Sequence, residues 1–554
     1  MTDIKVKTKV YVDASAEEIF QAILESRGYK TTSEQEAFLN PSAPTLDLLL
    51  GQSGLKKTTL KKAKAILDSH LKSNHDICVF GDYDADGVTA TAIMWQAVSA
   101  YAKVQESKSH VLPFIPDRHR HGYGLGDKAV AEVIGGEAFR TTQFQGFAPK
   151  LIVTVDTGIV AHVGIKSFVN AKIDVIVTDH HQPEEKLPPA SCIVYTLATS
   201  GAGLAWIFSM YLLGSPAGKL LDLATIGVIA DMMPLTGLNR SIIARGLDAL
   251  SHTLRPGLLA MKKAMGIGEK DLSTYDISFG IAPRLNAAGR IYNPLDALRL
   301  MCTSDKNLAT ELAGKIESHN RDRQEYTDHA LRLAASYTAA HKIIIVSGDY
   351  HEGVIGLVAG KLTEIYHRPA IVMSDNGEVV KGSARSVSGI NITELLRSLK
   401  TPFLGLGGHE QAAGFNLARN KVTGFTKELK TLADREIKDT LLIKSESADL
   451  TLPLKSTSLK LAKMLSTLEP IGIGNPKPKF ILYDLNVLED RELGAGGKHH
   501  KLTVEQGGAT RELLMFNTVH SHPLDHISTL ICTLDVNVWR DRESLQLIGS
   551  YVEN

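Results

Sequence analysis

Three short, fully apolar runs, each ending in a polar cluster, constrain this chain more than any other feature. Ile77-Cys78-Val79-Phe80 leads into GDYDADG, Leu151 to Val155 into DTG, and Ile173 to Val177 into TDHH. Helix-like stretches separate them, which is the signature of βαβ units around a buried parallel sheet. Ligands of open parallel sheets bind at the carboxyl ends of the strands. Three strand ends that carry Asp and His therefore predict one convergent site.

The chemistry of that site follows from the residue types. Asp82, Asp84 and Asp86 stand at alternate positions after the first strand, and carboxylates so close repel one another unless cations neutralise them. Taken alone, GDYDADG also reads as a solvated Asp-rich turn, and the adjacent His180 and His181 as surface residues. Asp156 follows the second strand, with Gly158 allowing close approach of a ligand. Asp231 lies in the mostly apolar run LDLATIGVIADMMPL, where an unpaired carboxylate is costly to bury. The bland readings would need four separate coincidences. Oxygen ligands with one or two imidazoles suit Mn²⁺ or Mg²⁺ better than Zn²⁺. Two such ions about 3.5–4 Å apart are the standard device for in-line phosphodiester hydrolysis. The residues thus predict a two-metal phosphoesterase.

The rest of the 554 residues sets the frame, with room for three or four domains. Lys+Arg and Asp+Glu both number 61, so a surface for nucleic acid is expected as a local groove, not a basic coat. Cys78, Cys192, Cys302 and Cys532 form no CxxC pair, which argues against a zinc ribbon or a disulfide framework. The first residues lack an apolar signal core and no run approaches the length of a membrane span, so a cytoplasmic protein without membrane contact is expected. Lys61, Lys62 and Lys64 lie opposite an apolar stripe and read as a solvated helix face, with contact to DNA as the alternative. From about 305 to 340 a long helix is expected as a connector. A second α/β unit follows, with strands at Ile343 to Val346 and Pro369 to Met373, and the segment after about 445 shifts to short β-rich runs that suggest an OB-type barrel. Phe480, Tyr483 and Trp539 are expected as barrel-core aromatics, with base stacking as the alternative.

GDYDADG, VDTG, TDHH and GVIADMMPL, in that order, resemble the four metal-binding motifs of the DHH phosphoesterase superfamily. The segments FGIAPRLNAAGRI (279–291), HNRDRQ (319–324), HEGVIGLVAGKL (351–362), KGSARS (381–386) and GGHEQAAGF (407–415) resemble the RecJ-like exonucleases within it. The resemblance implies an α/β fold: a parallel-sheet DHH domain (73–300) behind an N-terminal helical segment packed on it (1–72), a connecting helix (301–340), a DHH-associated α/β domain (341–440) and an OB-like barrel (441–554). It implies that Asp84, Asp86, Asp156, His180 and Asp231 hold two Mn²⁺ or Mg²⁺ ions, with Asp156 bridging. Asp82 joins the site or supports it, Asp179 orients a neighbouring histidine, and His181 touches the scissile phosphate. Arg118, Ser383, Arg385, Gly407, Gly408 and His409 match positions that bind the 5′ end or its phosphate. Arg284, Asn286 and Arg290 either contact the strand or brace the interlobe cleft.

The implied activity is a monomeric 5′→3′ exonuclease that releases mononucleotides from single-stranded DNA in repair and recombination. Single-stranded-DNA-binding protein or a helicase is the implied partner. A short DHH phosphodiesterase acting on short RNA or cyclic dinucleotides is the alternative, and the β-rich tail argues against it. A scaffold that had lost its chemistry would be expected to lack ligands, and here each position is filled. One departure stands out. Where such chains continue into an Asn-Pro pair and a longer loop, this one has Cys192-Ile193-Val194-Tyr195-Thr196 and a short stretch to Trp206. An altered substrate fit is expected at that edge of the cleft.

Overall fold

A computed structural model describes residues 3–6, 14–122, 124–140, 144, 146–268, 270–334, 341–494, 499–516, 524–540 and 542–553. The chain divides into two compact units, residues 43–443 and residues 1–42 with 444–554.

In the larger unit, five described strands make a wholly parallel sheet. Their spatial order is Val111–Phe114, Ile77–Phe80, Leu151–Val155, Asp174–Asp179, Cys192–Tyr195. The strands are buried because helices cover both faces. One face packs on Val88, Ile93 and Met94 of the helix Ala85–Val104, with Trp206 and Phe208 of the helix Gly201–Leu213. The other face packs on Leu125, Val130 and Phe168. The order reverses between Ile77–Phe80 and Leu151–Val155, because the chain first steps to one side of the first strand and then crosses to the other. Such a switch opens a crevice at the carboxyl ends of the two strands. GDYDADG and Asp156 both emerge into it.

The helix Lys306–Ala334 leads to the second α/β portion of this unit; residues 335–340 of the expected connector lie outside the described residues. Its strands run Gly405–His409, Ala412–Ala418, Val379–Arg385, Ala370–Ser374, Ile344–Gly348, and only the last two pair in parallel. The helix Ile355–Tyr366 packs on one face through Val358 and Leu362. Phe425 and Leu429 of the helix Val422–Glu436 pack on the other.

The smaller unit is a closed five-stranded barrel among the described residues. Phe480–Leu493 pairs with both His499–Gln506 and His526–Trp539, and the circuit runs on through Ala509–Phe516 and Arg542–Glu553. Here the expected N-terminal segment 1–72 divides. The helices Leu46–Ser53 and Lys57–Lys72 pack with the parallel sheet, through Leu49, Leu60 and Leu67. The helix Ala16–Ser26 instead buries Ile19, Phe20, Ile23 and Leu24 in one core with Leu450, Leu461, Leu482 and Leu530 of the barrel unit. Asp3–Val6 also pairs in parallel with Ser445–Ala448. The physical reason lies in the helix: its apolar face has no counterpart on a sheet already covered on both sides. Among the barrel aromatics, Phe480 is in the core as expected. Tyr483 and Trp539 are not; both are largely exposed, because they fall on outward-facing positions of their strands. Lys64 pairs with Asp68 on the outer face of its helix, at 2.7 Å.

Ile19 is fully buried in that shared core. Ile19→Ala is expected to destabilise the smaller unit by about 2–5 kcal/mol, through a cavity that cannot collapse. In chemical denaturation the transition of the smaller unit should move to lower denaturant while that of residues 43–443 stays in place.

Candidate metal centre and anion-binding cleft

The crevice gathers the predicted ligands. Ligand atoms of Asp82, Asp84 and Asp156 lie within 4.8 Å of one another, as do those of Asp86, His180 and Asp231, and those of Asp156, His180 and His181. Asp156 and His180 each belong to two of the three groups, and they link the others. His180 Nε2 lies 2.9 Å from Asp156 Oδ1 and 3.7 Å from both Asp86 Oδ2 and Asp231 Oδ2.

The surrounding chain holds these side chains against their own repulsion. Asp84 caps the helix Ala85–Val104 and accepts from Gly87 N–H at 2.9 Å. Asp86 accepts from Ser200 Oγ at 2.8 Å and from Gly201 and Ala202 N–H at 2.7 and 3.0 Å. It thereby sits on the positive end of the helix Gly201–Leu213. Asp156 adopts a left-handed backbone with φ +57°, a strain that persists in folds at functional sites. Room is made by glycine. A Cβ on Gly201 would lie 2.4 Å from Asp156 Cβ, and one on Gly227 would lie 2.4 Å from Asp86 Oδ1.

Electrostatics mark the same place. Burial, then the neighbouring charges of Asp86, Asp84 and Asp82, hold the Asp156 carboxyl well above the usual carboxylate range. Burial and Asp84 push Asp82 up to about 7, and burial and Asp86 push Asp231 up to about 8. Burial lowers His180, which favours a neutral imidazole able to ligate. His181 goes the other way: its Nδ1 lies 2.8 Å from Asp179 Oδ1, and this contact raises it to about 9. Asp179 is itself buried, but the His181 contact and the N–H groups of Ile159 and His181 keep it below its ordinary value.

The donor set fits divalent cations. Asp156 Oδ1 and His180 Nε2 are buried and face each other without a well-formed hydrogen bond to any group, and both lie in a cluster of carboxylates that ordinary hydrogen bonds do not neutralise. Carboxylate oxygens with a neutral imidazole suit Mn²⁺ or Mg²⁺.

A cleft of about 620 Å³ adjoins this centre. Tyr83, Arg118, Arg290, Lys381, Ser383, Arg385 and Gly407 are among its lining. Tyr83 stands between Asp82 and Asp84 in sequence and so borders both sites; the Arg118 guanidinium lies 5.7 Å from its ring centroid. Burial and the nearby Arg118 lower Arg290, and burial and Arg290 lower Arg385. Crowded guanidinium groups of this kind favour an anion between them. Lys381 is paired with Glu352.

Not every expected residue reaches the cleft. Arg284 bonds Glu317 at 2.6 Å and the Gly280 carbonyl at 2.9 Å, and so braces two helices. Asn286 accepts from Ala85 N–H at 2.8 Å and steadies the GDYDADG loop. Gly408 and His409 are outside the lining. Gly408, at φ +151°, makes the close turn onto Ala412 and Ala413, and the His409 carbonyl accepts from Thr393. Ser200, Gly201, Ala202, Gly227 and Lys381 escaped the sequence reading. Ser200 ahead of an apolar helical run is a legible N-cap signal, but the sequence does not show which carboxylate it faces. The short link from Tyr195 to Ser200 is what brings that helix end to Asp86.

The DHH family, N-terminal domain, matches residues 76–234, the DHHA1 domain residues 337–435 and the RecJ OB domain residues 448–550. The single-stranded-DNA-specific exonuclease RecJ of Bacillus subtilis is 33% identical over 95% of this chain and 67% of its own length. That of Dickeya dadantii is 30% identical over 88% of this chain and 89% of its own. The chain belongs to the RecJ family. Within that family, the crystal structure of RecJ from Thermus thermophilus in complex with Mn²⁺ matches with a TM-score of 0.80 at 28% identity, covering 100% of this chain and 79% of that one. A second structure of the Thermus protein holds Mg²⁺, with a TM-score of 0.73. The chain spans 63% of the length of the Thermus sequence it matches. The DHH, DHH-associated and OB-type portions expected from the motifs are all present.

Raised carboxyl groups give a signed prediction. In metal-free protein Asp82 and Asp231 bind protons up to about pH 7 and 8, well above their unfolded values. Their stabilising contribution is therefore full below about pH 4 and is lost as pH rises through 7 to 8. Cations compete with those protons. The increase in Tm given by Mn²⁺ should accordingly grow from pH 6 to pH 8, and the growth should flatten in Asp231→Asn.

Proposed function

We propose that this chain is a two-metal exonuclease that degrades single-stranded DNA from the 5′ end and releases 5′-mononucleotides. The observation that carries the reading is the juxtaposition at Tyr83 of a carboxylate–imidazole cluster and a cleft lined by Arg118, Arg290 and Arg385. A terminal phosphate carries more negative charge than an internal diester, and the crowded guanidinium forks suit it. The names of the relatives, single-stranded-DNA-specific exonucleases, supply the substrate class.

Asp84, Asp86, Asp156, His180 and Asp231 would hold the ions, with Asp82 beside them. Bound there, divalent cations supply an activated water and stabilise charge on the phosphoryl oxygens. The chain's own groups do the rest. Asp179 keeps His181 oriented and protonated, so that its imidazolium can donate to a non-bridging oxygen of the scissile phosphate as charge builds there. Arg118, Arg385 and Ser383 seat the 5′-terminal phosphate, and Tyr83 separates it from the reacting phosphorus. Seating the end fixes which bond meets the water, so the release of one nucleotide at a time follows from position.

Two results test this. Asp156→Ala should abolish Mn²⁺-dependent release from a 5′-labelled oligonucleotide. Its metal-free Tm should stay level or rise, since a repelling charge is gone. Retention of a tenth of wild-type turnover, or robust hydrolysis after EDTA, would sink the assignment. Arg385→Ala should lose about 1–3 kcal/mol of affinity for 5′-phosphorylated ends, the worth of a charge-assisted contact, and its preference over 5′-hydroxyl ends should shrink in parallel. Matched strands blocked at either end read the polarity: digestion of a 5′-blocked strand from its 3′ end at a comparable rate refutes it.

A further inference from the structure

Upstream of the helix Ala282–Ile291 the chain makes a π-helical turn, Asp276–Ile281. Such widened turns recur at functional sites. Tyr275 and Phe279 flank it with ring centroids 4.7 Å apart and planes inclined at 32°. Both rings are in solvent, at 68% and 69% exposure, while Ile277, Gly280 and Ile281 between and after them are buried. Gly280 packs against Met265, where a Cβ would lie 2.2 Å from its Cε, so the inner face of the turn is buried and the rings project from the outer one.

The direction they face follows from spacing. Tyr275, Phe279, Asn286 and Arg290 stand four, seven and four residues apart on one unbroken helical segment, and the wider i→i+5 turn between them swings the aromatic pair by about one residue's arc from the Asn286–Arg290 side without carrying it to the opposite face. The far members of that row are already located: Asn286 holds the metal-binding loop at Ala85, and Arg290 lines the anion-binding cleft. At about 1.5 Å per residue, Phe279 lies about 10 Å before Asn286 along the row. The order along this side is therefore terminal-phosphate cleft, metal centre, aromatic pair.

We propose that Tyr275 and Phe279 form a stacking platform for bases of the single strand on the 3′ side of the scissile bond. The proposal rests on the function given above. The occupant is single-stranded DNA because the row is continuous with the site that holds its 5′ end. Adjacent exposed ring faces also accept any base without regard to sequence. At the ~3.4 Å spacing of stacked nucleotides, a separation of about 10 Å is about three nucleotides beyond the scissile bond, which puts the fourth and fifth nucleotides over the rings. The pair thus positions substrate and sets the shortest strand that binds well, and it takes no part in the chemical step.

The test uses the full chain and two readouts. Tyr275→Ala/Phe279→Ala should raise Kd and KM for an oligonucleotide of about 20 nucleotides by about 10- to 100-fold, the range given by losing one or two stacked bases. kcat and the hydrolysis of a dinucleotide should stay unchanged. A matched strand lacking bases at its fourth and fifth positions should bind wild type and variant alike. Phe279→Trp should keep wild-type affinity, and the fluorescence it adds should be quenched by the oligonucleotide in metal-free buffer. Equal affinity of the double variant and wild type for the long strand overturns the platform. So does an equal loss on dinucleotide and long strand, or added fluorescence in Phe279→Trp that saturating oligonucleotide leaves untouched. A lower Tm with unchanged DNA affinity would make the pair a helix-stabilising contact and also overturns it. Failure of the wild type to release nucleotides with Mn²⁺ counts against the proposed function instead, since the binding and fluorescence measurements need no turnover.

Discussion

Mutual repulsion among Asp82, Asp84, Asp86 and Asp156 is the constraint on which the larger unit is organised. Without a cation, burial and proximity drive Asp82, Asp84 and Asp156 towards protonation. The fold spends its local devices on keeping them together: a helix N-terminus on Asp86, an N-cap at Asp84, a left-handed backbone at Asp156, and glycines at 201 and 227 where a methyl group would collide. A site built this way is poised for cations, because the ion removes a penalty that the protein carries without it.

Charge in the larger unit is then distributed in opposition. The chain has no net charge, yet anionic side chains crowd one side of Tyr83 and guanidinium groups the other. A neutral protein can in this way present a strong local field to a polyanion while leaving the remaining surface indifferent to it. His181 stands at the margin of the anionic side as a cation of its own, kept so by Asp179.

Much of this was legible in the sequence, for a physical reason. Parallel strands buried on both faces must be apolar throughout, so Ile77–Phe80 and Leu151–Val155 announce themselves, and carboxylates at their ends can only gather at the sheet's switch point. What the sequence could not show were pairings between distant segments. For Arg284 and Asn286 the sequence left a strand contact and a bracing role both open, and the partners that decide between them, Glu317 and Ala85, lie far along the chain. Ser200-Gly201-Ala202 carries no local sign that Asp86 lies opposite. The helix Ala16–Ser26 has an apolar face that fits any neighbour equally well, and only the competition for sheet surface decides that the barrel receives it. Tyr483 and Trp539 failed as core predictions because a barrel strand alternates inward and outward positions, and their register is set by partners far along the chain.

The helix Ala16–Ser26 and the strand Asp3–Val6 find their partners only after residue 444. On the ribosome, then, Ile19, Phe20, Ile23 and Leu24 emerge before the larger unit and their companions emerge after it. They stay uncovered for the whole time the intervening 43–443 stretch is being made. That stretch can complete its own cores on the way, but the small unit cannot begin to close until the strands beyond it have been translated. The chain therefore carries an apolar segment whose packing partners are made only after an entire neighbouring unit.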